Sequence, residues 1–312
     1  MGRGRRVTTA VLAEGASTVA SAPPPSAPRR RRFDPAALGL VPFAAYVLVF
    51  LLLPTAIAIG TGFLDSDGAL TLDNIAGLLE PTILRTFGNS IWLSALTAIV
   101  GAVLGALACY AMLGLPEGGR TRTAVDAAAS VLAQFGGVML AFAFIATLGA
   151  QGLITRLILD LAGVDIRAGG NWLYALPGLV PTYLFFQVPL MVITFMPAMN
   201  ALQPAWAEAN LTLGGTRFGF WRWIGIPVLS PAFLASLLLL FANAFSSYAT
   251  AAALASQGAQ IVPLQIRAAL TSETVLGREN LAGALALGMI AVVSACMWGY
   301  SAIQRRAARW RR

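Results

Sequence analysis

Six long stretches without charge divide the chain. Asp34 to Asp65 encloses the first, centred on LGLVPFAAYVLVFLLLPTAIAIG, and Arg85 to Glu117 the second, NSIWLSALTAIVGAVLGALACYAML. Asp126 to Arg156 encloses the third. Arg167 to Glu208 contains the fourth, centred on LVPTYLFFQVPLMVITFMPAM. Arg222 to Arg267 contains the fifth, PAFLASLLLLFANAFSSYATAAAL, and Glu279 to Arg305 the sixth, GALALGMIAVVSACMWGYSAI. Each supplies the roughly 20 residues that a helix needs to cross about 30 Å of hydrocarbon. The fourth and fifth are longer than one span, and their surplus holds Gly, Pro, Asn and Gln, which places it in loops. Regular apolar/polar alternation in segments of about ten residues is absent, so a β-barrel is not indicated. The pattern predicts an all-α membrane protein, a six-transmembrane-helix bundle over residues 36–305.

Within that frame some local features stand out. In QGLITRLILDLAGVD, Leu153, Leu157 and Leu161 recur at helical spacing, with Arg156 and Asp160 four apart on another face. This predicts a short helix lying on the outer membrane surface. Pro54, Pro181 and Pro189 fall inside apolar runs, where neighbouring helices resolve the kinks. Gly101 and Gly105 form a small-xxx-small pair, flanked by Ser94, Ala98, Ala102 and Ala106. Such a stripe lets two helix backbones approach closely.

Charge sets the expected orientation. Six spans put both ends on one side. The first 35 residues carry seven Arg, the 115–125 connection two, the 199–226 connection two and the C-terminal end five. The opposite side holds five: Arg85, Arg156, Arg167, Arg267 and Arg278. The positive-inside rule therefore places both termini in the cytoplasm, and the all-Arg, Ala-rich usage points to a bacterial cell (inner) membrane. Residues 1–35, rich in Arg, Ser, Ala and Pro, lack the apolar area to fold alone and read as a disordered cytoplasmic arm. An export signal is the other reading of Arg29–Arg32 before an apolar run, but that run is long for a signal core. Residues 306–312 form a basic cytoplasmic tail.

Composition closes other routes. The chain is 58% hydrophobic and only 11% charged, against about 25% charged in soluble domains. It has no His, and all 21 basic residues are Arg. Imidazole chemistry, Schiff bases and a phosphate-loop lysine are thereby excluded, so the chain is no ATPase of the P-loop type. Cys109 and Cys296 sit far apart in apolar runs and read as small core residues. No cofactor and no metal are expected. The net charge of +8 sits at the chain ends and connections and reads as a topology signal rather than a nucleic-acid surface.

The connection between the fourth and fifth spans carries the most information. From Gln203 to Pro231 it reads QPAWAEANLTLGGTRFGFWRWIGIPVLSP. Pro204 suits the first turn of a helix and Gly214–Gly215 its end. Thr216 suits the cap of a second short helix. A bundle needs only two to eight residues here, so a structured protrusion is a candidate docking surface. The stretch resembles the EAA motif of permease subunits of binding-protein-dependent ABC importers. That motif is Glu-Ala-Ala, three residues, Gly, nine residues, Ile, one residue, Leu-Pro. The chain gives Glu208, Ala209 and Asn210, then Gly214, then Ile224, Ile226 and Pro227 at matching spacing. Asn210 replaces the second Ala and Ile226 replaces Leu. With the six-span layout, the resemblance extends over about residues 37–305.

The resemblance implies that the loop is a coupling helix seated in a separate ATP-hydrolysing subunit, with Glu208, Ala209, Asn210, Gly214, Ile224 and Pro227 as the coupling residues. It also implies an extracytoplasmic substrate-binding protein and a second permease subunit, identical or related, and no catalytic residue in this chain. The stretch FANAFSSYATAAAL followed by IVPLQIRAAL is similar to permeases of the polyamine, iron(III), thiamine and phosphonate importers. Sugar importers share the loop.

For the translocation path, Ser236, Asn243, Ser247 and Thr250 recur at steps of seven, four and three, one face of a continuous helix. Gln134 in the third span and Gln187 in the fourth are also polar at membrane depth. Interhelical hydrogen bonding explains such residues equally well. An autonomous six-span carrier or channel would show an inverted repeat or an intramembrane charge, and neither is evident. An intramembrane enzyme would need a nucleophile and base, and the usual bases are missing.

Overall fold

The computed structural model describes residues 35–65, 67–116, 118–165, 170, 172–255, 260–271 and 279–309. These form α1 (Pro35–Val47), α2 (Leu53–Thr61), α3 (Asp73–Gly77), α4 (Pro81–Met112), α5 (Arg120–Gln134), α6 (Val138–Leu148) and α7 (Leu153–Ala162). Then come α8 (Leu176–Asn200), α9 (Pro204–Thr212), α10 (Arg217–Phe220), α11 (Ile226–Ser246), α12 (Ala249–Leu254), α13 (Val262–Thr271) and α14 (Glu279–Arg309). Among the described residues there is no strand, only one isolated bridge between Leu64 and Leu70. Six helical stretches are long and apolar enough to cross a membrane: Gly39–Thr61, Pro81–Met112, Val138–Ala162, Leu176–Asn200, Arg217–Ser246 and Asn280–Ile303. The expected arm lies outside the described residues up to position 34, and α14 runs on through the first four residues of the basic tail.

Residues 1–52 and 53–312 are two units. In the first, α1 leads into a π-helical turn, Leu48–Leu52. In the second, α8 packs against α4, α5 and α11; α11 also lies on α4 and α14, and α2 lies on α14. More than half of the most apolar stretch of α8 is buried, the largest share of the six. That explains why α8 is apolar all round and holds Pro181, Pro189 and Pro197 inside one unbroken helix.

The small-residue stripe of α4 meets α8. A Cβ on Gly101 would lie 2.9 Å from Gln187 Cβ, and one on Gly105 only 2.4 Å from Met191 Cβ. Ser94, Ala98 and Ala102 are buried along the same seam. A second such crossing is not foreshadowed by any glycine pattern: a Cβ on Gly62, just after α2, would stand 2.7 Å from the Ala284 amide nitrogen of α14.

Two spans differ from the sequence expectation. The third is interrupted: α5 ends at Gln134, Phe135–Gly137 form a break with Gly137 at φ +78°, and α6 restarts at Val138. Gln134 is thus the last residue of α5 instead of a mid-span position. The fifth is interrupted at Ser247–Tyr248, between α11 and α12. Part of the surplus assigned to loops is α13, fastened to α4 where the Val262 amide donates to Ser90 Oγ at 2.8 Å and Asn89 Nδ2 donates to the Gln260 carbonyl at 3.1 Å. The helix expected at 153–161 is α7, and it falls within the candidate span Val138–Ala162 instead of standing apart from the spans; Arg156 in it donates to Gln151, a partner outside the helix.

Candidate functional site: the 203–231 loop and the interrupted helices

Gln203 leads into α9 with Pro204 in the first turn, where its missing N–H costs no helical bond. The helix ends in a Schellman turn. The Gly215 amide donates to the Asn210 carbonyl at 2.8 Å and the Gly214 amide to the Leu211 carbonyl at 3.0 Å. Gly214 sits at φ +81°, a conformation that L side chains resist. Asn210, the departure from the Glu-Ala-Ala pattern, acts locally. Its Nδ2 donates to the Thr216 carbonyl at 3.1 Å, bridging the turn. Thr216 caps α10, its Oγ1 accepting from the Gly219 amide at 3.1 Å.

Glu208 and Ala209 are exposed on α9, while Asn210 is half-buried. Gly214 is exposed with open space around it. Ile224 is half-buried in a π-helical turn, Trp221–Gly225, and Pro227 opens α11. The loop therefore offers an exposed short helix held at a fixed angle by a bonded turn.

The polar residues of the spans do not form one stripe. Ser236 is buried on α11 and Asn243 is exposed on it. Ser247 caps the end of α11 in an extended conformation. Thr250 belongs to α12. The expected periodicity counted through Ser247 as if the helix continued, and the break resets it. What the break exposes is backbone, and neighbours satisfy it. Tyr183 of α8 donates its hydroxyl to the Ser247 carbonyl at 2.9 Å. The Gly137 amide, at the other break, donates to Thr250 Oγ1 at 2.8 Å. Gln187, one turn beyond Tyr183 on α8, is fully buried. Its Nε2 donates to Thr97 Oγ1 of α4 at 3.2 Å, and its Oε1 has no partner among the described residues.

The sequence pattern did not single out Tyr183, Thr97 or Gly137. A buried Tyr needs a partner for its hydroxyl, and Gly136–Gly137 amid apolar residues is a breaker pair; both signals were present. Among the described residues no cluster of three or more Cys, Asp or Glu could hold a metal.

No protein-family model matches the chain. It is 26% identical over 255 residues to a probable ABC transporter permease protein of Sinorhizobium fredii, covering 81% of this chain and 43% of that protein. It is 34% identical over 88 residues to the sulfate transport system permease protein CysT of Salmonella typhimurium, covering 28% of this chain and 30% of CysT. The chain thus spans less than half the length of these two relatives. A spermidine/putrescine transport system permease protein, PotB of Haemophilus influenzae, is 20% identical over 82% of this chain and 89% of its own length.

Among solved structures, the fold is similar to a chain of a bacterial ABC transporter involved in the import of the acidic polysaccharide alginate. The TM-score is 0.70 at 15% identity, covering 88% of this chain and 95% of that one. A chain of the MetNI methionine ABC transporter in inward-facing conformations gives 0.51 at 13% identity, covering 73% and 99%. These relatives are permeases of ABC transporters, and the fold is shared with importers of that class.

Proposed function

We propose that this chain, similar in sequence to ABC transporter permeases and in fold to the importers, is a permease subunit of a binding-protein-dependent ABC importer. It forms the translocation path and couples to a separate ATPase through the 203–231 loop. The observation that carries the reading is the Schellman-ended α9, with Glu208 and Ala209 exposed ahead of Gly214 at the motif spacing. Glu208, Ala209, Asn210, Gly214, Ile224 and Pro227 form the coupling element. A helix held at a fixed angle transmits a push as rigid-body motion, which a slack loop would absorb.

The chain itself hydrolyses nothing in this reading. Its partners are an ATP-binding subunit, an extracytoplasmic binding protein and a second permease, and both termini are cytoplasmic. The residues at 1–35 and 306–312 flank the permease domain as basic segments. Relatives named for spermidine/putrescine, sulfate and ferric transport support a small polar solute as cargo. Gln134, Gln187, Ser236, Asn243, Ser247 and Thr250 are the polar groups offered to the path. Gln187 leads them, because its buried Oε1 still has an accepting lone pair to give.

The test is a pull-down from detergent-solubilised native membranes, comparing the intact chain with Glu208→Ala and Gly214→Pro. An ATPase subunit should accompany the intact chain and be lost from an inserted variant. An intact chain that comes out without any ATPase, under conditions preserving other such complexes, would return the autonomous carrier to first place.

A further inference from the structure

A groove of about 660 Å³ opens between the end of α4 and the loop helices. Tyr110, Leu113 and Gly114 form one wall, Leu211 and Trp221 the other, and Arg217 stands at its edge. The Tyr110 and Trp221 rings meet edge to face, 5.2 Å apart at 80°. Tyr110 lies in the last turn of α4, and Leu113–Gly114 follow where that span ends. The groove therefore sits at the end of a candidate membrane span.

Its chemistry is one-sided. No carboxylate among the described residues lines it. The Arg217 side chain is exposed and makes no hydrogen bond or ion pair with the described residues. Nearby, Arg222 lies over the Trp223 ring at 5.6 Å, and Trp223 and Phe218 are each 74% exposed. Aromatic rings with Arg on apolar stems make up a membrane interface. Asn210 of the coupling element also lines the groove beside Ala207, while Glu208, Ala209 and Gly214 do not.

We propose that the groove binds an anionic phospholipid, with an acyl chain against Tyr110, Leu113 and Trp221 and the phosphate on Arg217. Charge complementarity selects the anion, since an unneutralised guanidinium faces a wall without acids. The apolar walls select an amphiphile over a soluble anion. The bound lipid touches α4 and α9 at once, through Tyr110 and Leu211, and so props the loop against the bundle. The proposal goes beyond the importer reading, because the lipid needs no ATPase to bind.

The test places the full chain in phosphatidylcholine vesicles with a trace of phosphatidylglycerol carrying a diazirine on its acyl chain, and maps the photo-labelled residues by mass spectrometry. Label should concentrate at 110–114 and 220–221. It should fall about fivefold in Arg217→Gln, the share of one Arg near an anionic surface, and return in Arg217→Lys. Unlabelled phosphatidylglycerol should compete and inorganic phosphate should not. Label spread evenly over the exposed α4 residues Val103 and Leu107, equal labelling by diazirine phosphatidylcholine, or competition by phosphate would each overturn the proposal. So would a groove never labelled by lipid but protected when the ATPase subunit is added. Should Arg217→Gln fail to fold, the two diazirine lipids compared on the unaltered chain still decide.

Discussion

The amide of Gly137 donates to the hydroxyl oxygen of Thr250 at 2.8 Å, joining the start of α6 to α12 across 113 residues of sequence. Each residue lies beside the interruption of its own span, so one bond secures two breaks. In a bilayer a freed backbone group has no water to turn to, and this pairing is what makes the interruption of the third span tolerable.

Replacing Thr250 by Val keeps the shape and removes the acceptor. The Gly137 amide is then unpaired, at a cost of about 1–2 kcal/mol. We expect a lower melting temperature in detergent and faster hydrogen exchange at the Gly137 amide, with Thr250→Ser close to the unaltered chain. Unchanged exchange at Gly137 would mean that the bond contributes nothing.

The α4–α8 seam is sensitive to a single methyl group. A Cβ on Gly105 meets Met191 Cβ at 2.4 Å and the Val188 carbonyl oxygen at 2.9 Å. Gly105→Ala should destabilise by about 1–3 kcal/mol through overpacking. Adding Met191→Ala should recover little, because alanine keeps the clashing Cβ and the Val188 backbone remains; only the Cγ contact is lost. Thermal melting of the three variants checks the order.

At the loop, Gly214→Ala places a Cβ at φ +81° with no steric neighbour, so the penalty is conformational, about 1–2 kcal/mol. Gly214→Asn should lie between Ala and Gly, since Asn visits that region more readily. Insertion should be normal in both, and ATPase co-purification should fall in the order Gly, Asn, Ala. Equal recovery from all three would detach the turn from coupling.

How far the sequence anticipated these features depends on what each residue does. The α4 seam and the loop turn were readable because glycine is informative where backbones approach or turn backwards. Asn210 was readable only as a departure from a pattern; its bond to Thr216 needs the turn to exist first. The helix breaks escaped for a different reason. No charge marks Phe135–Gly137 or Ser247–Tyr248, and an uncharged run records solvent preference, not backbone continuity. The polar residues of the fifth stretch were therefore placed on a face that the chain does not have.

Gln187 separates the two roles open to a buried polar group. Gln187→Leu removes an acceptor that has no partner among the described residues and a donor to Thr97, whose own hydroxyl donates to the Leu93 carbonyl at 2.8 Å. Stability should stay within about 1 kcal/mol, while uptake by the assembled transporter should drop. Uptake at the normal rate would make Gln187 a packing residue.

The glycine seam also limits how α4 and α8 can shift against each other. Where Gly105 lets Met191 press against a bare backbone, no side chain is left between α4 and α8 to act as a bearing, and a slide of one helix along the other must lift Met191 over its own socket. The Gly137–Thr250 clasp sits in a second interlocked region, where Leu140 and Ala141 of α6 and Ala251 and Leu254 of α12 are buried with Tyr183 and Phe186 of α8, so α8 is the strut to which both interrupted spans are keyed.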